Sequence, residues 1–174
     1  MKLYYDRNLY TVTFESNGGS GVAALCALYE TTIAKPDDPT RAGYTFTGWY
    51  KNEGFTETWD FATDPVTSGT TLYAKWTAKT DTLYKVEHYQ QNVAGDGYDK
   101  KDTDNLSGTT GETATAAAQT YTGFTEAMSH PGREQNGIIA GDGTLVLKLY
   151  YERNSYTCRF LLAKEYCKPC WMRK

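Results

Sequence analysis

The sequence predicts a mainly β chain of two small modules in tandem, on three observations: composition, alternation and repetition. Of its 174 residues 14 % are aromatic, with 15 Tyr against 6 Phe and 4 Trp, and 26 are Thr. Such side chains pack well on a pleated, half-buried surface. Apolar and polar residues alternate with period two in short runs bounded by Gly, Asn and Pro, the pattern of strands and turns. Finally, residues 2–14 recur as residues 148–160 at an offset of 146, with nine of thirteen positions identical. A repeat of that length means the chain spans one full period of a longer array.

In the first module Tyr10, Val12 and Phe14 fall on one face of a strand and Thr11 and Thr13 on the other, followed by the turn Asn17-Gly18-Gly19. Pro36-Asp37-Asp38-Pro39 breaks any regular element before a strand over residues 43–50, and residues 71–76 close the module. If the 43–50 strand stays regular, Tyr44 and Phe46 share a face and Trp49 points the other way. Gly43 and Gly48 then mark close backbone approach or positive φ. In the second module Tyr84, Val86 and His88 alternate with Lys85, Glu87 and Tyr89, and Leu145, Leu147, Leu149 and Tyr151 alternate at its end. Tyr10 to Leu72 is 62 positions and Tyr84 to Leu145 is 61, so the two share a plan. The expected divisions are residues 1–8 as the remnant of an upstream repeat strand, a module at 9–77, a linker at 78–81, a module at 82–153, and the start of the next repeat from 154. A module of about 70 residues hides only about 60 % of its unfolded surface. Tyr44, Phe46, Trp49, Leu72 and Trp76 are therefore expected in the core.

The net charge is −3 with a pI near 5.4, which excludes a general nucleic-acid binder, since phosphate neutralisation needs clustered Lys and Arg. No stretch approaches the ~20 apolar residues of a membrane helix, so no membrane insertion is expected of this sequence. It opens inside the repeat at Met1-Lys2-Leu3-Tyr4-Tyr5-Asp6, with no apolar segment of a signal peptide.

The run Tyr10-Thr11-Val12-Thr13-Phe14 with Asn17-Gly18-Gly19, then Pro39-Thr40-Arg41-Ala42-Gly43-Tyr44-Thr45-Phe46-Thr47-Gly48-Trp49-Tyr50, Trp59-Asp60-Phe61 and Thr71-Leu72-Tyr73-Ala74-Lys75-Trp76 resembles the internalin B-repeat, or Listeria-Bacteroides repeat. The resemblance covers residues 9–77 and implies a β-grasp-like, α+β module found in tandem on secreted and wall-attached bacterial proteins. Residues 82–153 are similar to mucin-binding-protein (MucBP-like) repeats through Tyr84-Lys85-Val86-Glu87-His88-Tyr89, Gly108-Thr109-Thr110-Gly111-Glu112, Tyr121-Thr122-Gly123-Phe124 and Leu147-Lys148-Leu149-Tyr150-Tyr151. These resemblances imply a non-catalytic stalk or adhesion module outside the cell, on the bacterial surface or wall. Its partners would be neighbouring repeats, with host or cell-wall glycans and glycoproteins in addition. The alternatives are a specific carbohydrate- or mucin-binding module, with Tyr73 or Tyr89 stacking on sugar, and an accessory domain of an extracellular glycoside hydrolase.

No catalytic, cofactor or metal residue emerges. His88 alternates with core positions and His130 precedes the turn Pro131-Gly132, and neither sits in a nucleophile–base motif. Asp37-Asp38 and Asp96-Gly97 lack the ordered ligands of a Ca²⁺ loop, so solvated turn acids are the expectation. No glycine-rich strand-to-helix turn would cradle phosphate. Cys167-Lys168-Pro169-Cys170 with Cys158 offers three thiolates without a fourth ligand for zinc. The Cys167–Cys170 pair could also be a redox site, but it lies in a terminal tail and not at a strand-to-helix junction. Because the repeat diverges at Cys158 into a Cys- and Lys-rich tail, a shifted reading frame or a truncated gene end explains that tail better than an evolved site.

Overall fold

The computed structural model describes residues 1–157, so the tail with Cys158, Cys167 and Cys170 lies outside the described residues. Ten strands form among them, and no helix. By internal contacts the chain divides into two compact units, one of Met1–Thr82 with Ala140–Asp142, the other of Leu83–Ile139 with the chain from Gly143 on.

The first unit holds β1 (Leu9–Glu15), β2 (Leu25–Leu28), β3 (Tyr44–Tyr50) and β4 (Thr70–Ala78), in sheet order β2-β1-β4-β3. β1 runs parallel to β4, Val12 facing Thr70 and Glu15 facing Tyr73, while β2 and β3 are antiparallel to their neighbours. Alternation places Val12 and Leu72 inward, where they join Ala27, Ile33, Trp49, Val66 and Ala74 in a buried cluster edged by Phe14, Phe46, Trp59 and Trp76. Of the five residues expected in this core, Trp49 and Leu72 are buried and Phe46 and Trp76 pack at its edge. Tyr44 instead lies half-buried beneath Arg41, whose guanidinium carbon is 3.9 Å from the ring centre. The outer face is a threonine surface, with Thr13 and Thr71 hydroxyls 2.9 Å apart and Thr47 and Thr77 3.1 Å apart.

Asn17-Gly18-Gly19 has a mechanical meaning. Asn17 and Gly18 take φ of 47° and 83°, the left-handed region open to Asn and Gly. The Asn17 side-chain amide then donates to the Ala74 carbonyl at 2.8 Å, and Trp76 Nε1 donates to the Ser16 carbonyl at 2.8 Å. A Cβ on Gly19 would sit 2.4 Å from Trp76 Cζ2. The turn thus fastens the end of β1 to β4, and only glycine fits beneath the indole.

The expected opposition of Phe46 and Trp49 is overturned. Register shifts between Phe46 and Gly48, a β-bulge with Gly48 at φ 144°. One extra residue turns Trp49 to the side of Phe46, with ring centres 5.5 Å apart, and Trp49 also meets Phe14 at 4.8 Å. The α part of the α+β expectation finds no counterpart among the described residues. Between β2 and β3 the chain bridges Thr31 to Val66, buries Ile33 and then meets Pro36 and Pro39. β-Branched residues followed by two prolines disfavour a helix there.

The second unit holds β5 (Thr82–Gln91), β6 (Tyr98–Gly108), β8 (Phe124–Glu126) and β10 (Val146–Arg153) in sheet order β6-β5-β10-β8, and a two-stranded ribbon of β7 (Thr113–Thr115) and β9 (Asn136–Ile138). Its first and last strands, β5 and β10, are again parallel central neighbours, and β8 is antiparallel to β10. The strand order therefore repeats that of the first unit. Val86, Leu147, Leu149 and Tyr151 form the core with Ala114, Ala116 and Ile139. The ribbon approaches closely because Gly137 has no side chain: a Cβ there would lie 2.6 Å from Leu145 Cδ1.

Candidate functional site

Two polar and aromatic groupings on the second unit hold His88, His130 and Tyr89, three of the residues that sequence reading singled out. On the inner face His88 is fully buried. Its Nδ1 lies 2.9 Å from the Tyr151 hydroxyl and its Nε2 3.1 Å from Asp104 Oδ2. Gln119 closes a ring: its backbone N–H donates to the Tyr151 hydroxyl at 2.9 Å, and its side-chain amide donates to both Asp104 oxygens at 2.9 and 2.8 Å. One neutral tautomer satisfies every member, with Nε2–H donating to Asp104 and Nδ1 accepting from Tyr151. Tyr121 extends the network to Asp102 Oδ2 at 2.8 Å and Gln119 Oε1 at 3.0 Å. Burial raises the pKa of both phenols, more than offsetting for Tyr151 the lowering by the Gln119 N–H, and the Asp102 hydrogen bond adds to it for Tyr121. A satisfied buried network specifies packing. His88 is a core residue, while the Asp104 side chain that receives it is 37 % exposed.

On the outer face Tyr89 and Tyr150 are paired in register across β5 and β10 and stack with ring centres 5.0 Å apart. His130 also stacks on Tyr150, at 3.8 Å, and Tyr98 meets both Tyr150 and His130 edge-on at 5.3 and 4.7 Å. His130 arrives from the loop after β8, held by its Nδ1 accepting the Gly132 N–H at 3.1 Å and by the Arg133 guanidinium on Glu126 at 2.8 Å. A Cβ on Gly132 would lie 2.9 Å from the Tyr150 hydroxyl, which accounts for the His130-Pro131-Gly132 turn. Beside the rings runs a charge ladder, Lys100 to Glu87 at 3.0 Å and Lys148 to Glu134 at 3.1 Å. Hydrogen bonds from Tyr89 and Lys100 hold Glu87 below its ordinary pKa, and Tyr89 in turn is pushed up to about 12 by that bond. The four rings are half-buried and largely occupied with one another.

A hollow of about 130 Å³ near the β5–β6 turn is lined by Gln90, Gln91, Asn92, Lys100, Lys101 and Arg153, with no aromatic floor. Arg153 Nε donates to the Gln91 and Asn92 carbonyls at 3.0 and 3.1 Å, so that guanidinium braces the turn. Asp96 accepts from Asn92 at 2.8 Å within the same turn, and Asp38 pairs with Lys35 at 2.7 Å. Tyr73, a candidate for sugar stacking, is half-buried in β4 facing Glu15 and Tyr50. Among the described residues no group of three or more His, Cys, Asp or Glu could hold a metal ion, and no helix is long and apolar enough to cross a membrane.

What recurs through the first unit is that signature residues serve architecture: the Asn17-Gly18-Gly19 lock beneath Trp76, the Gly48 bulge, and Trp49 in the core. Residues 10–75 match the Listeria-Bacteroides repeat domain. A Gly-rich membrane protein of Evansella cellulosilytica is 51 % identical over 72 residues, 41 % of this chain and 8 % of that protein. A second membrane protein of the same organism is 41 % identical over 95 residues, 55 % of this chain and 13 % of that protein. Internalin H of Listeria monocytogenes is 41 % identical over 71 residues, 40 % of this chain and 13 % of that protein. The chain thus spans a small fraction of the relatives it matches, larger proteins named for the membrane or as an internalin. The names fit a cell-surface location.

Proposed function

We propose that this chain is a load-bearing stalk and adhesion segment of a bacterial surface protein, made of non-catalytic modules at residues 9–77 and 82–153 joined by residues 78–81. One observation carries the reading. In each unit the strand by which the chain enters and the strand by which it leaves are parallel neighbours, β1 with β4 and β5 with β10. A pull along the chain loads the hydrogen bonds between them together in shear, instead of opening them one after another as in a hairpin. That connectivity suits a spacer under tension. The order β2-β1-β4-β3 around a parallel pair supports a β-grasp-like module without its helix. Of the MucBP-like motifs of residues 82–153, those at 84–89 and 147–151 lie in β5 and β10, and those at 108–112 and 121–124 lie at the turns after β6 and before β8. Neighbouring repeats are the first partners of this reading, and the membrane- and internalin-named relatives support an extracellular place on the surface or wall.

A glycan-binding module is the second reading, favoured by the half-exposed group Tyr89, Tyr98, His130 and Tyr150. Aromatic faces can stack on sugar, but here Tyr150 already carries Tyr89 and His130. A glycan and mucin array probed with the monomeric and the multimerised chain separates the two. The stalk reading expects silence from the monomer and at most weak binding gained by multimerisation. Tight binding of a single glycan by the monomer, lost in Tyr89→Ala, would establish a lectin instead.

A further inference from the structure

Residues 2–8 read Lys-Leu-Tyr-Tyr-Asp-Arg-Asn and residues 148–154 read Lys-Leu-Tyr-Tyr-Glu-Arg-Asn, differing only at Asp6 and Glu152. The two copies stand in opposite environments. Leu149 and Tyr151 are 0 % and 1 % exposed in the middle of the second sheet, whereas Leu3 and Tyr5 are 65 % and 88 % exposed and belong to no strand. We infer that residues 2–8 are the closing strand of a preceding module of the second kind, and that they fit the β10 slot of a second copy of this chain. In that slot Leu3 takes the place of Leu149, and the Tyr5 hydroxyl takes the place of Tyr151 between a buried histidine and a backbone N–H. An unpaired strand with an apolar face has backbone and side-chain reasons to add to a sheet.

The joint that follows is closed. Asn154 donates its N–H to the Gly123 carbonyl at 2.8 Å, and its side-chain oxygen accepts from the Thr125 hydroxyl at 2.7 Å, so this asparagine belongs to the module it ends. Its repeat counterpart Asn8 accepts the Tyr29 N–H at 2.8 Å, immediately before β1 begins at Leu9, so it belongs to the module that follows. In the array a single asparagine is gripped from both sides and no free residue separates the modules. This inference stands on the repeat and the two environments and does not depend on the stalk reading.

The test uses the full chain carrying Leu149→Pro, which breaks its own β10, with a synthetic peptide of residues 1–8 as probe. The His88 ring resonances and the tyrosine near-ultraviolet dichroism report the second unit. Rising peptide should restore both, while the same peptide with Leu3→Pro should not, and the unsubstituted chain, whose slot is filled, should not bind. No recovery at millimolar peptide overturns the inference. If the Leu149→Pro chain does not stay in solution, the full chain with Leu147→Met and Glu152→Asp, which writes residues 1–8 into β10, decides. Its melting temperature should hold within a few degrees, and loss of the second-unit transition overturns the fit. Deleting residues 1–7 should leave the first unit's melting unchanged; a drop of many degrees would assign the segment to that unit and overturn the inference as well.

Discussion

Removing one oxygen from Tyr151 probes the heart of the second unit. Its hydroxyl joins the His88 ring to the Gln119 backbone, at 2.9 Å on each side, in a place where Tyr151 is 1 % exposed and His88 fully buried. Tyr151→Phe keeps the ring and its edge-on contact with Tyr121 at 4.9 Å, but strands a ring nitrogen and an N–H. Each buried polar group left without a partner costs about 1–3 kcal/mol. The sum, about 2–6 kcal/mol, is a large share of the roughly 4–10 kcal/mol expected of a module of about 70 residues. At about 4–8 °C per kcal/mol for domains of this size, the second unit should melt about 10 °C earlier or more. Calorimetry of the full chain reads this directly, with the fluorescence of Trp49, Trp59 and Trp76 following the first unit, whose transition should not move. Tyr150→Phe on the outer face is the control: its ring contacts survive, and the cost should stay within about 0.5 kcal/mol. Equal shifts for the two variants would refute the network as a determinant of stability.

Two further perturbations follow from named contacts. Tyr89 is pushed up to about 12, and Tyr98, Tyr121 and Tyr151 are also raised. A group whose folded pKa exceeds its unfolded value contributes stability that is complete below the unfolded value, about 10 for tyrosine, and is lost as pH rises through the folded one. The second unit should therefore lose stability between about pH 10 and 12, with late, cooperative tyrosinate absorbance at 295 nm; early, non-cooperative ionisation of all tyrosines would contradict this. Glu87 behaves oppositely, since its lowered pKa contributes stability above the ordinary carboxylate range that fades as pH falls through the folded value. Gly19→Ala forces Trp76 off its 2.8 Å bond to Ser16 and should cost the first unit about 1–3 kcal/mol by denaturant melt, the range of overpacking. An unchanged midpoint would mean the indole yields without cost.

The fold was legible where burial writes period two into the chain. Tyr10, Val12 and Phe14, residues 71–76, and Leu147, Leu149 and Tyr151 lie in strands as their alternation predicts, each with a buried face. β6 was not legible, because Asp99, Lys100, Lys101, Asp102 and Asn105 are residues that strands disfavour and an edge strand tolerates. Its Asp102 and Asp104 are there for Tyr121 and His88, partners 19 and 16 residues away, which no local pattern announces. The bulge at Gly48 was visible only as a glycine in a strand, and one residue of slippage reversed the side of Trp49. His88 was correctly read as a packed residue from its alternation alone. The outer-face cluster was half visible: Tyr89 stood out, but His130 joins it through a loop whose course depends on Gly132 and on Arg133 reaching Glu126.

Pulling the full chain by its ends in a single-molecule force experiment tests the central claim most directly. β1 through β4 covers residues Leu9 to Ala78 and β5 through β10 covers Thr82 to Arg153, so the two units hold nearly equal lengths of chain. At about 3.3–3.6 Å per extended residue, less about 35 Å because the pulled points lie at opposite ends of a parallel strand pair, each unfolding event should lengthen the chain by about 200 Å. The account predicts two such steps, both at forces well above the one needed when the first unit is held at Leu9 and Leu28, paired residues of β1 and β2 that peel apart one bond at a time. A single step, or end-to-end forces no higher than that peeling force, would contradict a stalk built of two shear-loaded modules.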